Sequence, residues 1–101
     1  MKGNTIGEFF DDLLMMGGPE KEFVFRKKYY FLESTYETSS RNYILCIDEY
    51  DNNTPRNKTL IQSYSFYGSN YAECVKKFED AEIFDGMTIY QAEQEIEVLF
   101  G

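Results

Sequence analysis

The sequence predicts an α+β fold: a single four-stranded antiparallel β-meander, with an N-terminal helix and two C-terminal helices packed on one face. Three observations carry this reading. Aromatic and β-branched runs crowd the region from Glu22 to Tyr67, separated by short polar turns. The segments on either side of that region show helical apolar spacing opened by capping pairs. At 101 residues, with 43% hydrophobic and 28% charged content, residues 1–101 are expected to form one globular domain with one modest core.

The elements follow in order. Thr5 and Glu8 form a capping-box pattern, and Ile6, Phe9, Phe10, Leu13 and Leu14 then recur at helical spacing. Gly17-Gly18-Pro19 is the expected stop for that helix. The first strand is expected over Glu22–Arg26 and the second over Tyr29–Tyr36, joined by a hairpin whose turn lacks the usual Asn-Gly or Asp-Gly. The third strand is expected over Tyr43–Tyr50, with Tyr43, Leu45 and Ile47 on one face and Ile44 and Cys46 on the other. Asp51 to Asn57, with Pro55 among Asn and Asp residues, reads as a loop. The fourth strand is expected over Thr59–Tyr67, setting Leu60, Tyr64 and Phe66 against a wetter face of Ser63 and Ser65.

Beyond the sheet, Ser69 is the expected cap of a second helix with Tyr71, Cys74, Val75 and Phe78 as its stripe, running to about Ala81. Asp85-Gly86 is a turn signal. Thr88 and Gln91 form another capping box, predicting a third helix with Ile89, Ala92, Ile96 and Leu99 inside and Glu93, Glu95 and Glu97 outside.

The stretch Ile83-Phe84-Asp85-Gly86-Met87-Thr88-Ile89-Tyr90 resembles a phrase in small uncharacterised proteins of Gram-positive gut bacteria and their mobile elements. In those, a Phe-Asp-Gly turn followed by Lys, Ser or Thr, and Leu introduces a short acidic C-terminal helix. Here Met87 stands in place of the Lys. The resemblance implies a bacterial or phage origin and carries no activity.

Charge and missing residue types narrow the chemistry. Net charge is −8, and from Phe78 onward Glu79, Asp80, Glu82, Asp85, Glu93, Glu95 and Glu97 occur without any Lys or Arg. Lys21, Arg26, Lys27 and Lys28 instead gather around the first hairpin. Such a balance argues against direct nucleic-acid binding, because phosphates would meet net repulsion. The absence of histidine removes the commonest general base and metal ligand. Two cysteines without histidine cannot build a structural zinc site, and no phosphate-cradling glycine loop is present. No cofactor is implied.

No run approaches the roughly 20 apolar residues of a membrane span, and the N-terminal apolar run is broken by Glu8, Asp11 and Asp12. A cytoplasmic location, no membrane contact and reduced Cys46 and Cys74 are therefore expected, and the patterns Asn52-Asn53-Thr54 and Asn57-Lys58-Thr59 carry no glycosylation.

Several sites remain to be weighed. Asp48, Glu49 and Asp51 are the grouping for a carboxylate- or metal-dependent hydrolase, but neither loop register supplies the Gly and Glu of a calcium hand, and Glu93, Glu95 and Glu97 read as the wet face of a helix rather than as a glycosidase pair. Arg26-Lys27-Lys28-Tyr29-Tyr30 interleaves basic and aromatic residues as single-strand binders do, and reads more simply as a solvated hairpin tip. Nine Tyr and nine Phe are many for a core of this size. Tyr36, Tyr50 and Tyr67 are expected near the surface on the less apolar sheet face, where tyrosines favour interfaces.

The leading expectation is thus a non-enzymatic module that binds an unidentified protein partner, with a homodimer as a variant. The alternative is an acidic mimic of nucleic acid, in which Glu79, Asp80, Glu82, Asp85, Glu93, Glu95 and Glu97 block a nucleic-acid-binding protein. In size and charge that alternative is similar to anti-CRISPR inhibitors of phages and mobile elements.

Overall fold

The computed structural model describes residues 1–15, 20–51 and 59–101. In chain order they form α1 (Ile6–Met15), β1 (Lys21–Phe25), β2 (Lys28–Glu37), β3 (Asn42–Tyr50), β4 (Leu60–Gly68), α2 (Tyr71–Asp80), α3 (Ile89–Ala92), a 3₁₀ turn (Glu93–Glu95) and β5 (Ile96–Phe100). The expected helix stop at Gly17-Gly18-Pro19, most of the Asp51–Asn57 loop and the asparagines of both glycosylation patterns lie outside the described residues.

The fold class is α+β with an antiparallel sheet, but the sheet has five strands, in the order β4-β3-β2-β1-β5. The meander from β1 to β4 forms as expected. At the C-terminus the sequence predicts a third helix, and only one turn of it forms. The Thr88 capping box is present in both directions, yet α3 ends at Ala92 and the chain is extended from Ile96 onward. Two periods fit this segment, because Ile96 and Leu99 continue a helical stripe while Ile96 and Val98 flank Glu97 with strand alternation. The strand wins because β1 would otherwise leave a row of backbone groups unpaired. Phe23 sits opposite Val98 and Phe25 opposite Ile96, which buries Ile96 and Val98 while Leu99 remains exposed.

Local chemistry explains the other boundaries. Thr5 Oγ1 accepts from Glu8 N–H at 3.1 Å and Glu8 Oε1 from Thr5 N–H at 3.3 Å, closing the box that starts α1. The cap of α2 is Asn70 rather than Ser69: Asn70 Oδ1 accepts from Glu73 N–H at 3.0 Å, and Glu73 Oε2 accepts from Ser69 N–H at 2.7 Å. Gly68 makes the tight strand-to-helix passage possible, since a Cβ there would lie 2.6 Å from Glu73 Cβ. The β1–β2 hairpin turns on Arg26 (φ 47°) and Lys27 (φ 64°), both left-handed, as a two-residue type I′ loop requires.

One face of the sheet is covered by all the helices. Phe23, Phe25, Tyr30, Leu32, Leu45 and Ile47 from the strands meet Phe9, Phe10 and Leu13 of α1, Cys74, Val75 and Phe78 of α2, and Ile89 and Ala92 of α3. Phe84, in the connection before α3, is fully buried in the same cluster. Cys74 lies in this core with its thiol 3.2 Å from the Tyr43 carbonyl, whereas Cys46 faces the other side of the sheet. The sheet itself separates the two thiols, so they cannot pair in this fold. Among the described residues, no helix is long and apolar enough to cross a membrane.

Candidate functional site

The face of the sheet turned away from the helices is the strongest candidate. Strand register arranges it in rows. Phe100, Glu22, Phe31, Asp48 and Ser63 form one row across five strands, and Glu97, Val24, Tyr29, Tyr50 and Leu60 the next. Glu33, Cys46 and Ser65 form a third, and Thr35, Ile44 and Tyr67 a fourth. Aromatic and aliphatic groups therefore alternate with Glu22, Glu33, Asp48 and Glu97. Among the described residues no strand directs a Lys or Arg to this face.

The electrostatics of individual groups agree. Burial pushes the Cys46 thiol up, Glu33 and Asp48 push it further, and Ser65 opposes them. The Tyr50 phenol is raised by burial and then by Asp48 and Glu33. Tyr29, fully buried on this side and against Tyr50 at 5.8 Å between rings, donates its hydroxyl to Glu22. Asp48 accepts from Ser63 Oγ at 2.7 Å. The surface is acidic and aromatic together.

Of the tyrosines expected here, Tyr50 and Tyr67 take this face and Tyr36 does not. Tyr36 follows Tyr30, Leu32 and Ser34 onto the helix side, where its ring lies 4.8 Å from Tyr43, itself 4.6 Å from Tyr71 of α2. Phe31, Glu33 and Phe100 belong to the site and escaped the sequence reading. The period-2 pattern of β2 contained the signal for the first two; Phe100 was hidden by the helical reading of the C-terminus.

Most carboxylates of the acidic C-terminal segment meet cations, some distant in sequence and one, Lys76, close by. Arg26 grips Glu95 with both ends of its guanidinium, at 2.8 Å (Nε–Oε1) and 2.7 Å (Nη2–Oε2), and reaches Asp85 at 3.3 Å. Lys28 Nζ lies 2.8 Å from Asp85. Glu97 lies 3.9 Å from Lys2 and Glu93 3.9 Å from the Met1 amine, while Lys76 is 3.9 Å from Glu79 and 3.4 Å from Asp80. Glu82 is exposed on the connection after α2. Glu93, Glu95 and Glu97 do not share a helix face, since the first two lie on the 3₁₀ turn and the third on β5.

This network gives the molecule an acid-sensitive clasp between the β1–β2 turn and the Asp85-Gly86 turn. Lys28 foremost, then Arg26, holds the Asp85 carboxyl below its usual range, and Arg26 does the same for Glu95. A carboxylate with a depressed folded pKa contributes its stability above the ordinary carboxylate pKa of about 4 and loses it as pH falls through the depressed value. The stability difference between the natural chain and an Asp85→Asn/Glu95→Gln variant is therefore expected to be constant near neutrality and to close below about pH 4. Urea unfolding at a series of pH values measures it. A gap that persists unchanged to the bottom of the acid range would show that the carboxylate charges are not what matters.

The remaining sequence candidates disperse. Alternation sends Asp48 to the open face and Glu49 to the helix side, where Glu49 is buried, accepts from Tyr64 OH at 3.2 Å and lies 3.9 Å from Lys28. Asp51 stands at the bend beyond β3. The three carboxylates expected for a hydrolase do not converge, and the described residues hold no group of ligands suited to a metal ion. In the basic-aromatic hairpin, Arg26 and Lys28 are held by carboxylates and Tyr29 and Tyr30 are fully buried, so the cluster presents no stacking platform. The Tyr30 hydroxyl is buried with no hydrogen-bond partner of normal geometry. This chain matches no protein-family model, no curated protein and no solved structure.

Proposed function

We propose that this chain is a non-enzymatic protein-binding module whose helix-free sheet face engages a basic protein surface. One observation carries the reading: that face interleaves Phe31, Tyr67 and Phe100 with Glu22, Glu33, Asp48 and Glu97, and of these carboxylates only Glu97 has a described cation within 4 Å, Lys2 at 3.9 Å. Arginine suits such a surface best, since its guanidinium can pair with a carboxylate and lie over an aromatic ring at once. A net charge of −8 would steer a basic partner toward the molecule and make the encounter salt-dependent.

The nucleic-acid-mimic reading is second. It required an uncompensated array from Glu79 to Glu97, and Arg26, Lys28, Lys2 and Lys76 supply counter-charges within that array. Carbohydrate or phosphate chemistry has no comparable constellation to rest on.

The test uses fluorescent Arg-rich and Glu-rich peptides of equal length as probes. The Arg-rich peptide is expected to bind and to weaken with added salt, and Tyr67→Ala to weaken it about thirtyfold if that ring is an anchor. Glu33→Gln/Asp48→Asn should remove most of the salt dependence. Equal binding of both peptides, or binding unaffected by either variant, would sink the proposal.

A further inference from the structure

An open sheet has two edges, and this molecule treats them differently. The outer side of β5 is occupied by the chain itself: Lys2 N–H donates to Ile96 O at 2.9 Å and Val98 N–H to Lys2 O at 2.8 Å, a parallel bridge at Glu97. The outer side of β4 pairs with no described strand. Natural sheets blunt such an edge with charge, proline or brevity. β4 runs nine residues, Leu-Ile-Gln-Ser-Tyr-Ser-Phe-Tyr-Gly, with no charged residue and no proline, and its one irregularity is a register shift that leaves Ile61 without a partner on β3, between Gln62 opposite Glu49 and Leu60 opposite Tyr50. Leu60, Ile61 and Tyr67 are 54%, 47% and 47% exposed on it.

We infer that β4 is a dimerisation edge, on which a second copy of this chain pairs its own β4 antiparallel about a two-fold axis, forming one continuous sheet. Three features select a second copy. The strand is uncharged in a molecule of net charge −8, so it offers two like-charged copies their least repulsive approach. A two-fold axis near Tyr64 sets Ile61 of one copy against Tyr67 of the other, so each exposed apolar end of the strand covers the opposite end. Of the charges flanking the strand, Lys77 and Asp51 are complementary only in this orientation; Glu73, at the same end as Lys77, is already engaged by the Ser69 N–H. Lys77, beside the end of β4, donates to the Tyr67 carbonyl at 2.5 Å; Asp51, beside its start, donates its backbone N–H to Thr59 O at 2.8 Å. Antiparallel pairing brings Lys77 toward Asp51 of the second copy, twice by symmetry. Parallel pairing would align Lys77 with Lys77 and Asp51 with Asp51.

This inference is independent of the proposed basic partner, although a joined sheet would double the acidic-aromatic face. Its test is the mass of the full chain in solution by light scattering and sedimentation over a range of concentrations. The expected species is twice the 11.9 kDa of one chain at high concentration. Ile61→Lys places like charges along the shared edge and should weaken self-association about tenfold or more. Lys77→Glu alone should weaken it, and Lys77→Glu with Asp51→Lys should restore it; both residues are exposed, and Lys77→Glu also gives up the bond to the Tyr67 carbonyl. Circular dichroism confirms that each variant remains folded. A monomer at every concentration overturns the inference. So does a dimer indifferent to Ile61→Lys, or one that the charge swap fails to rescue.

Discussion

Phe84→Ala is expected to cost about 3–5 kcal/mol of stability. Phe84 is fully buried and touches four other rings: Tyr30 at 5.2 Å, Phe25 at 5.5 Å, Phe23 at 6.1 Å and Phe78 at 6.4 Å between centroids. It therefore joins β1 and β2, distant in sequence, to the neighbouring α2. The surrounding chain has little freedom to collapse into the space, because a tight turn holds the residue from behind. Phe84 and Met87 exchange backbone hydrogen bonds at 3.0 Å, across Asp85 (φ 52°) and Gly86 (φ 82°). A loss of that size is a large share of the roughly 5–15 kcal/mol by which domains are stable. Urea unfolding should show a lower midpoint with little change in slope, and Phe84→Leu should fall between the two. A cost below about 1 kcal/mol would mean that the aromatic cluster closes over the gap.

The second large effect is expected at Lys21, whose side chain is 0% exposed. Its ammonium lies 3.1 Å from Asp12 Oδ2 of α1 and 3.1 Å from the Gly101 carbonyl oxygen, with the Phe9 ring centroid 5.1 Å away. One cation thus ties the first helix, the first strand and the end of the last strand. Lys21→Ala removes both the packing of the aliphatic stem and the bonds at its tip, and should cost about 3 kcal/mol. Lys21→Met keeps the volume without the charge and should fall within about 1 kcal/mol of the natural chain, since well-packed apolar groups often replace a buried ion pair without loss. Asp12→Ala should be worse than Lys21→Met, at about 2 kcal/mol, because it leaves the ammonium buried with only a carbonyl. That figure is set below the usual cost of breaking a buried pair because Asp12 is 39% exposed. Thermal and urea unfolding of the three variants rank them. If Lys21→Met is the most damaging, charge rather than shape governs this site.

Both residues show why parts of the fold were legible and others were not. In the sequence alone, Phe84 reads only as an approach to a turn and Lys21 only as part of a basic patch. Nothing local marks either as central, because three of the four rings around Phe84 lie on β1 and β2, and the partners of Lys21 lie 9 and 80 positions away. Capping is different. The boxes at Thr5 and Thr88 were readable because donor and acceptor are three residues apart and the helix geometry brings them together without help from the rest of the chain. Strand alternation was readable for the same reason, and it placed Tyr43, Leu45 and Ile47 on one face.

The chain by itself therefore determined the class of fold, the four-stranded meander, the turn at Asp85-Gly86 and the starts of the first and last helices. Each follows from backbone and side-chain preferences acting over a few residues. Tertiary structure decided the rest. Ile96 to Phe100 satisfies two periods equally, and only the unpaired edge of β1 makes the extended form the more stable. The acidic run from Glu79 to Glu97 looked uncompensated because Arg26 meets Glu95 across 69 positions. An ion pair of that kind has no energy until the sheet and its turns hold the two groups within hydrogen-bonding distance, so linear charge patterning could not register it.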